Sequence, residues 1–258
     1  MAARFDAAKM PLLEHLREFR KRVVRSASAI SLAALIGWFF YNEIITKLAE
    51  PVCDLAAAQR TGSNTCGSLY INGVLGPLNL QIKVALLTGV IVSAPIWLYQ
   101  LWAFIAPALH RKEKRNSIFF FVAATPFFAA GTYLGYSILP VAIKVLFGFT
   151  PESLTNLVKF DDYLDFVMRA ILLFGIAFEL PVFLVTFNLI GFLSGVAILR
   201  PWRIWVFCIV LFVAGFTPSA DPLSMILLAV PLILLYLLSG LFALWNDRRR
   251  AKKENHLE

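Results

Sequence analysis

From Val23 onward the chain is a succession of long apolar runs separated by short polar ones, near residues 23–45, 78–105, 117–147, 163–190, 203–217 and 222–244. Runs such as Ile226–Leu238 do not alternate between apolar and polar positions, which argues for helices rather than strands. A bilayer core of about 30 Å takes roughly 20 helical residues, and every backbone polar group inside it must be satisfied, so these runs read as six transmembrane helices. The fifth is short: about 14 residues between Arg203 and Pro218 rise only ~21 Å, so the bilayer must thin there or the helix must lean on its neighbours. Ahead of the first run, Leu12, Leu16, Phe19 and Val23 recur at helical spacing, with Arg17, Arg20 and Lys21 elsewhere around the helix. That pattern predicts a short helix lying on the membrane surface.

Breakers refine the picture. Residues 46–77 carry Pro51, Gly62, Gly67, Gly73, Gly76 and Pro77, a structured loop with one or two short helices. Pro95, Pro126, Pro140, Pro181 and Pro231 fall inside spans, which predicts several proline-kinked helices enclosing a concave bundle. Asp161 or Asp162 is placed to cap the fourth span, and Asp165 and Arg169, four residues apart, can pair near its start.

Composition agrees: of 258 residues 59% are apolar and 16% charged, and the mean hydropathy is +0.74. The fold class is an all-α polytopic membrane protein, with one transmembrane domain over 1–245 and a basic, disordered tail over 246–258. The net charge of +8 sits in blocks flanking the spans, so it calls for no nucleic acid. Cations precede the first span, follow the second (Arg111, Lys112, Lys114, Arg115), the fourth (Arg200, Arg203) and the sixth, against Lys47, Arg60 and Lys159 on the other side. The positive-inside rule then makes both termini cytoplasmic. HExxH, GxSxG, GxGxxG and CxxC do not occur, so neither a metal, a cofactor nor an enzymatic activity is expected.

Chemistry concentrates at Glu179, a carboxylate in an apolar stretch from about Leu172 to Ile190. A charged acid at a bilayer centre costs roughly 3 kcal/mol on the lenient insertion scales, so such a group is protonated, faces a polar cavity or awaits a partner. Pro181 beside it frees a carbonyl one turn earlier and tends to kink the helix there. The alternative is an acid that merely hydrogen-bonds a neighbouring helix. Cys53 and Cys66 share a loop on the non-cytoplasmic side, where closing about 14 residues with a disulfide stabilises by roughly 3 kcal/mol; two free thiols are the other reading. Cys208, in the fifth span, reads as a buried packing residue. By spacing alone, Glu18 pairs with Arg22 at i,i+4.

Four stretches, HLREFRKR at 15–22, SAPIWLYQLWAFIAPALHRKEKR at 93–115, FGIAFELPV at 174–182 and TPSADPLS at 217–224 followed by LLAVP at 227–231, resemble in order the signatures of the TatC family, the core receptor of the twin-arginine protein translocase. The resemblance spans nearly the whole chain and implies a component of a machine in the inner (cytoplasmic) membrane that exports folded proteins, driven by the proton-motive force. It further implies that Glu18, Glu113 and Phe104 read the Arg-Arg pair of a signal peptide, that Glu179 is the intramembrane acid, that Pro51 and Asp221 are periplasmic functional positions, and that single-span subunits of the TatA and TatB type are partners. Phe19, His110 and Met225 depart from the family pattern, which has leucine, tyrosine and glutamine at these places. Two rival classes are a proton-coupled small-molecule transporter using Glu179 and a scaffold that only organises other subunits. The first expects an inverted repeat between the two halves, which the sequence lacks; the second leaves Glu18 and Glu113 without a task.

Overall fold

A computed structural model of the chain describes residues 12–59, 69–105, 114–148, 158–216 and 222–254. It begins with α1 (Leu12–Phe39) and α2 (Tyr41–Gln59), joined at Phe40 with helical hydrogen bonds running across the junction, from Phe40 N–H to the Ile36 carbonyl (3.0 Å) and from Ile44 N–H to that of Phe40 (3.1 Å). The expected surface helix and first span are therefore one helix, and helix replaces the expected loop through Gln59. Pro51, expected to break the chain, lies buried inside α2. Its missing N–H frees the carbonyl of Lys47, four residues back, and the Tyr136 hydroxyl donates to that oxygen at 2.9 Å. The neighbouring Leu48 carbonyl accepts from the Tyr163 hydroxyl at 2.6 Å.

The second span is α3 (Gly76–Val92) and α4 (Ala94–Ile105), bent by 59°. The break falls at Ser93, two residues before Pro95, because proline is accepted in the first turn of the new helix. Ser93 Oγ donates to the Gly89 carbonyl at 2.7 Å and the Trp97 indole to that of Val90 at 2.9 Å, so the bend leaves these carbonyls answered. α1 and α3 cross closely: a Cβ on Gly89 would stand 2.7 Å from the Ile30 carbonyl oxygen, and one on Gly37 2.7 Å from Thr88 Cβ.

Next come α5 (Lys114–Phe147), α6 (Phe160–Ala177) and α7 (Glu179–Ile190), then a short α8 (Gly195–Leu199), α9 (Trp202–Phe216) and α10 (Pro222–Glu254). One core joins α2, α3, α5 and α6; a second joins α6, α7, α9 and α10. Two short strands that the periodicity did not reveal, β1 (Leu69–Tyr70) and β2 (Val158–Lys159), pair in parallel and tie the segment before α3 to the segment before α6. Among the described residues, four helical stretches are long and apolar enough to cross a membrane, with α6 and α7 together making one of them, the bent pair α3–α4 makes a fifth, and α9, with 15 residues, is the short apolar helix expected from the sequence. The chain is a multi-pass helical membrane protein.

Three local expectations change. Phe160 opens α6 after Lys159 with no side-chain cap, and Asp161 turns instead to Lys83 Nζ at 2.8 Å and to Asn79 Nδ2 at 3.2 Å. Asp165 also goes to Lys83, at 2.6 Å, rather than pairing with Arg169, because a lysine inside a span must be neutralised and α6 supplies the nearest carboxylates. The polar segment after Asn246, expected to be disordered, is helix to Glu254. It is held because Asn188 Nδ2 donates to Asp247 Oδ1 at 2.8 Å, Gly195 N–H to Asp247 Oδ2 at 2.6 Å, and Arg250 to the Leu189 carbonyl at 2.9 Å.

The lysine cluster yields a test. Lys83→Met removes the shared counter-ion of two partly exposed carboxylates and is expected to lower stability in detergent by about 1 kcal/mol, and adding Asp161→Asn and Asp165→Asn should recover most of the loss. A wild-type melting temperature for the single variant would show that the cluster contributes nothing.

Candidate functional site

Residues 160–190 form one apolar stretch divided by a turn at Phe178. Pro181 cannot donate to the Ala177 carbonyl, so the helix loosens at this point, and Glu179 becomes the first residue of α7. Its side chain is only 4% exposed, and neither carboxylate oxygen has a hydrogen-bond partner among the described residues. It faces a groove of about 740 Å³ whose walls come from α4 (Trp97, Leu98), α7 (Phe183), α9 (Trp205, Phe212) and α10 (Leu232). Among the described residues, Glu179 is the one ionisable carboxylic acid in that wall. Cys208 lies on the groove too, as an exposed free thiol rather than the packing residue expected, because α9 sits at the margin of the bundle with Ile204, Phe207 and Leu211 turned outward. No group of three potential metal ligands occurs among the described residues. The arrangement can receive an apolar segment and offer it a single polar contact.

A second site forms where α1 meets α4. The Arg22 guanidinium donates to Glu18 Oε1 through Nε at 3.1 Å and through a terminal nitrogen at 2.5 Å, so the i,i+4 pair read from spacing is formed. Arg22 also reaches Gln100 Oε1 at 3.4 Å, and the Phe19 and Phe104 rings meet at 5.3 Å. Glu18 and Phe104 are thereby brought to one junction. Gln100 is a member of it that the sequence reading passed over; its place four residues before Phe104, on one face of a helix, was the available signal. Glu113 and Asp221 lie outside the described residues, as does Cys66. Cys53, two residues after Pro51 inside α2, is disulfide-bonded. Pro51 is placed far along the chain from either site, against α5 through the Lys47 carbonyl.

The class these observations define is a multi-pass helical membrane protein in which an acid without a hydrogen-bond partner among the described residues faces an apolar groove, and an ion pair marks the junction of α1 with α4. The family model described as Sec-independent protein translocase protein (TatC) matches residues 14–231. The chain is 38% identical over 254 residues to the TatC protein of Frankia casuarinae, covering 96% of this chain and 69% of that one, and 35% identical over 248 residues to that of Aquifex aeolicus, covering 95% and 98%. A crystal structure titled as the twin arginine translocase receptor TatC, in detergent, superposes with a TM-score of 0.77 at 31% identity over 89% of this chain and 99% of that one. The chain belongs to the TatC family of Sec-independent protein translocase components.

Since Glu179 makes no hydrogen bond among the described residues, replacing it is expected to cost the fold nothing. Glu179→Leu should melt in detergent at or above the wild-type temperature, by up to about 2 kcal/mol of added stability. A clear drop would mean that the carboxylate is tied to a neighbouring helix as a structural acid.

Proposed function

We propose that this chain is the receptor that reads the twin-arginine pair of signal peptides, and that it forms the core of a translocase exporting folded proteins across the inner (cytoplasmic) membrane at the expense of the proton-motive force. The observation that carries the reading is the junction of Glu18, Arg22 and Gln100 with the Phe19–Phe104 pair, where a carboxylate is already held in a guanidinium's grip. A signal-peptide arginine can share or replace that grip with the same paired, charge-assisted geometry, which a lysine cannot reproduce. Glu113 is the second carboxylate of the reader, and Phe104 packs on the bound peptide.

The chain crosses six times with both termini cytoplasmic, α9 making the short fifth crossing. The groove at Glu179 receives the single transmembrane helix of TatA- or TatB-type subunits, with the acid as its polar contact. An apolar wall with one carboxylate suits a helix better than a small polar solute, which weighs against a proton-coupled transporter. Pro51 and Asp221 serve on the periplasmic side, and Cys53 bridges to Cys66; the bonded state of Cys53 and the free Cys208 support that pairing in a chain of three cysteines.

Titration of a signal peptide against the purified protein tests the reading. Glu18→Ala and Glu113→Ala are each expected to weaken an Arg-Arg peptide by about 1 kcal/mol or more, Phe104→Ala to weaken it as well, and a Lys-Lys peptide to bind weakly throughout. Unchanged affinity in both glutamate variants would place the reader elsewhere. For the bridge, maleimide labelling of non-reduced protein should modify Cys208 alone; modification of all three thiols would refute it.

A further inference from the structure

The last turns of α10 divide their polar residues cleanly between two faces. Asn246 and Asp247 turn inward, and the exposed Arg250 leans onto the end of α7: Asn246 Nδ2 donates to Asn188 Oδ1 at 2.8 Å, Asp247 takes Asn188 and the Gly195 N–H, and Arg250 donates to the Leu189 carbonyl. Asn188 itself is fully buried. The outward face reads Leu234, Leu238, Leu241, Phe242 and Trp245, all exposed, and continues at the same three- and four-residue spacing into Arg248, Arg249 and Lys252, also exposed. Arg249 stacks its guanidinium over the Trp245 ring at 3.4 Å. The carboxylate of Asp247 is thus held by hydrogen bonds on the inner side, and the outer stripe passes from apolar to cationic.

We propose that this stripe is a binding site for the headgroups of anionic phospholipids. The apolar part belongs to a helix whose span candidate begins at Met225; about 20 residues of it fill a hydrocarbon core, so Trp245 falls at the edge of the hydrocarbon and the three cations just beyond it. From Trp245 to Lys252 the helix rises ~10 Å, the scale of a headgroup layer. Acyl chains lie along Leu238 to Phe242 while phosphate oxygens meet Arg248, Arg249 and Lys252. The Trp245–Arg249 stack holds the guanidinium flat at the boundary, and the contacts of Asp247 and Arg250 to α7 and α8 fix the rotation of the helix, so the charged face cannot turn away from the lipid. The site rests only on the membrane placement of α10, not on signal-peptide reading.

The test is native mass spectrometry of the full-length protein in micelles containing equimolar phosphatidylglycerol and phosphatidylcholine. Wild type should retain phosphatidylglycerol about fivefold over phosphatidylcholine or more, the worth of at least one cation at an anionic surface. R248Q/R249Q/K252Q should lose the preference at an unchanged melting temperature, while R200Q/R203Q, a basic pair at the start of α9, should keep it. If the triple variant does not fold, the R249Q/K252Q pair makes the same comparison. Equal retention of the two lipids by wild type, a preference that survives in R248Q/R249Q/K252Q or its substitute pair, or displacement by millimolar inorganic phosphate, which would mark a site for free anions, overturns the proposal.

Discussion

A bundle in hydrocarbon has no water to complete its polar groups, so each exposed carbonyl and each charge must be answered from another helix. Much of this architecture follows from that constraint. Proline and helix breaks release carbonyls, and long aromatic side chains collect them across the bundle: Tyr136 and Tyr163 fasten the Lys47 and Leu48 carbonyls of α2 to α5 and α6, Tyr236 fastens the Ile198 carbonyl of α8 to α10 at 2.7 Å, and Trp97 closes the bend at Ser93. Each such bond contributes on the order of 1 kcal/mol, but its orientation decides which turn of one helix lies beside which turn of another. Charges obey the same rule, Lys83 being shared by Asp161 and Asp165 and Asp247 being divided between Asn188 and a backbone N–H.

Against that background Glu179 stands out. Other acids that α6 and α10 carry into the bundle have found donors, while this one is buried with both oxygens unpaired among the described residues and an apolar groove in front of it. Leaving an acid unanswered is costly in a low-dielectric wall, and packing alone would favour leucine there. Among the described residues, then, this is a position where burial and hydrogen bonding are not satisfied together, and it opens onto an apolar groove.

Much of this was legible in the sequence because apolar run length, proline position and charge placement are local signals. The short α9, the interruption near Pro95, the turn before Pro181 and the isolation of Glu179 all follow from residues within a few turns of one another. What was not legible depended on groups far apart in the chain. Pro51 read as a breaker because the hydroxyl that takes its freed carbonyl comes from Tyr136, 89 residues away. Asp165 read as a partner for Arg169 because Lys83 lies in another span. The end of α10 read as a disordered basic tail because Asn188 and Gly195, which hold it as helix, are separated from it by more than 50 residues. The β1–β2 pair, two residues long on each side, leaves no periodicity to detect.

The two candidate sites share one element. α4 presents Trp97, Leu98 and Leu101 to the Glu179 groove and, within two further turns, Gln100 and Phe104 to the Glu18 junction on α1. Its direction is fixed by the 59° bend at Ser93, whose carbonyls are tied down by Ser93 and Trp97, so Trp97 serves both the bend and the groove wall. α4 is one short helix of 12 residues, so its two contact faces hold a fixed relation to one another. The bend is thus more than an accommodation of Pro95: it lays one face of α4 along the Glu179 groove and another against the ion-paired junction on α1.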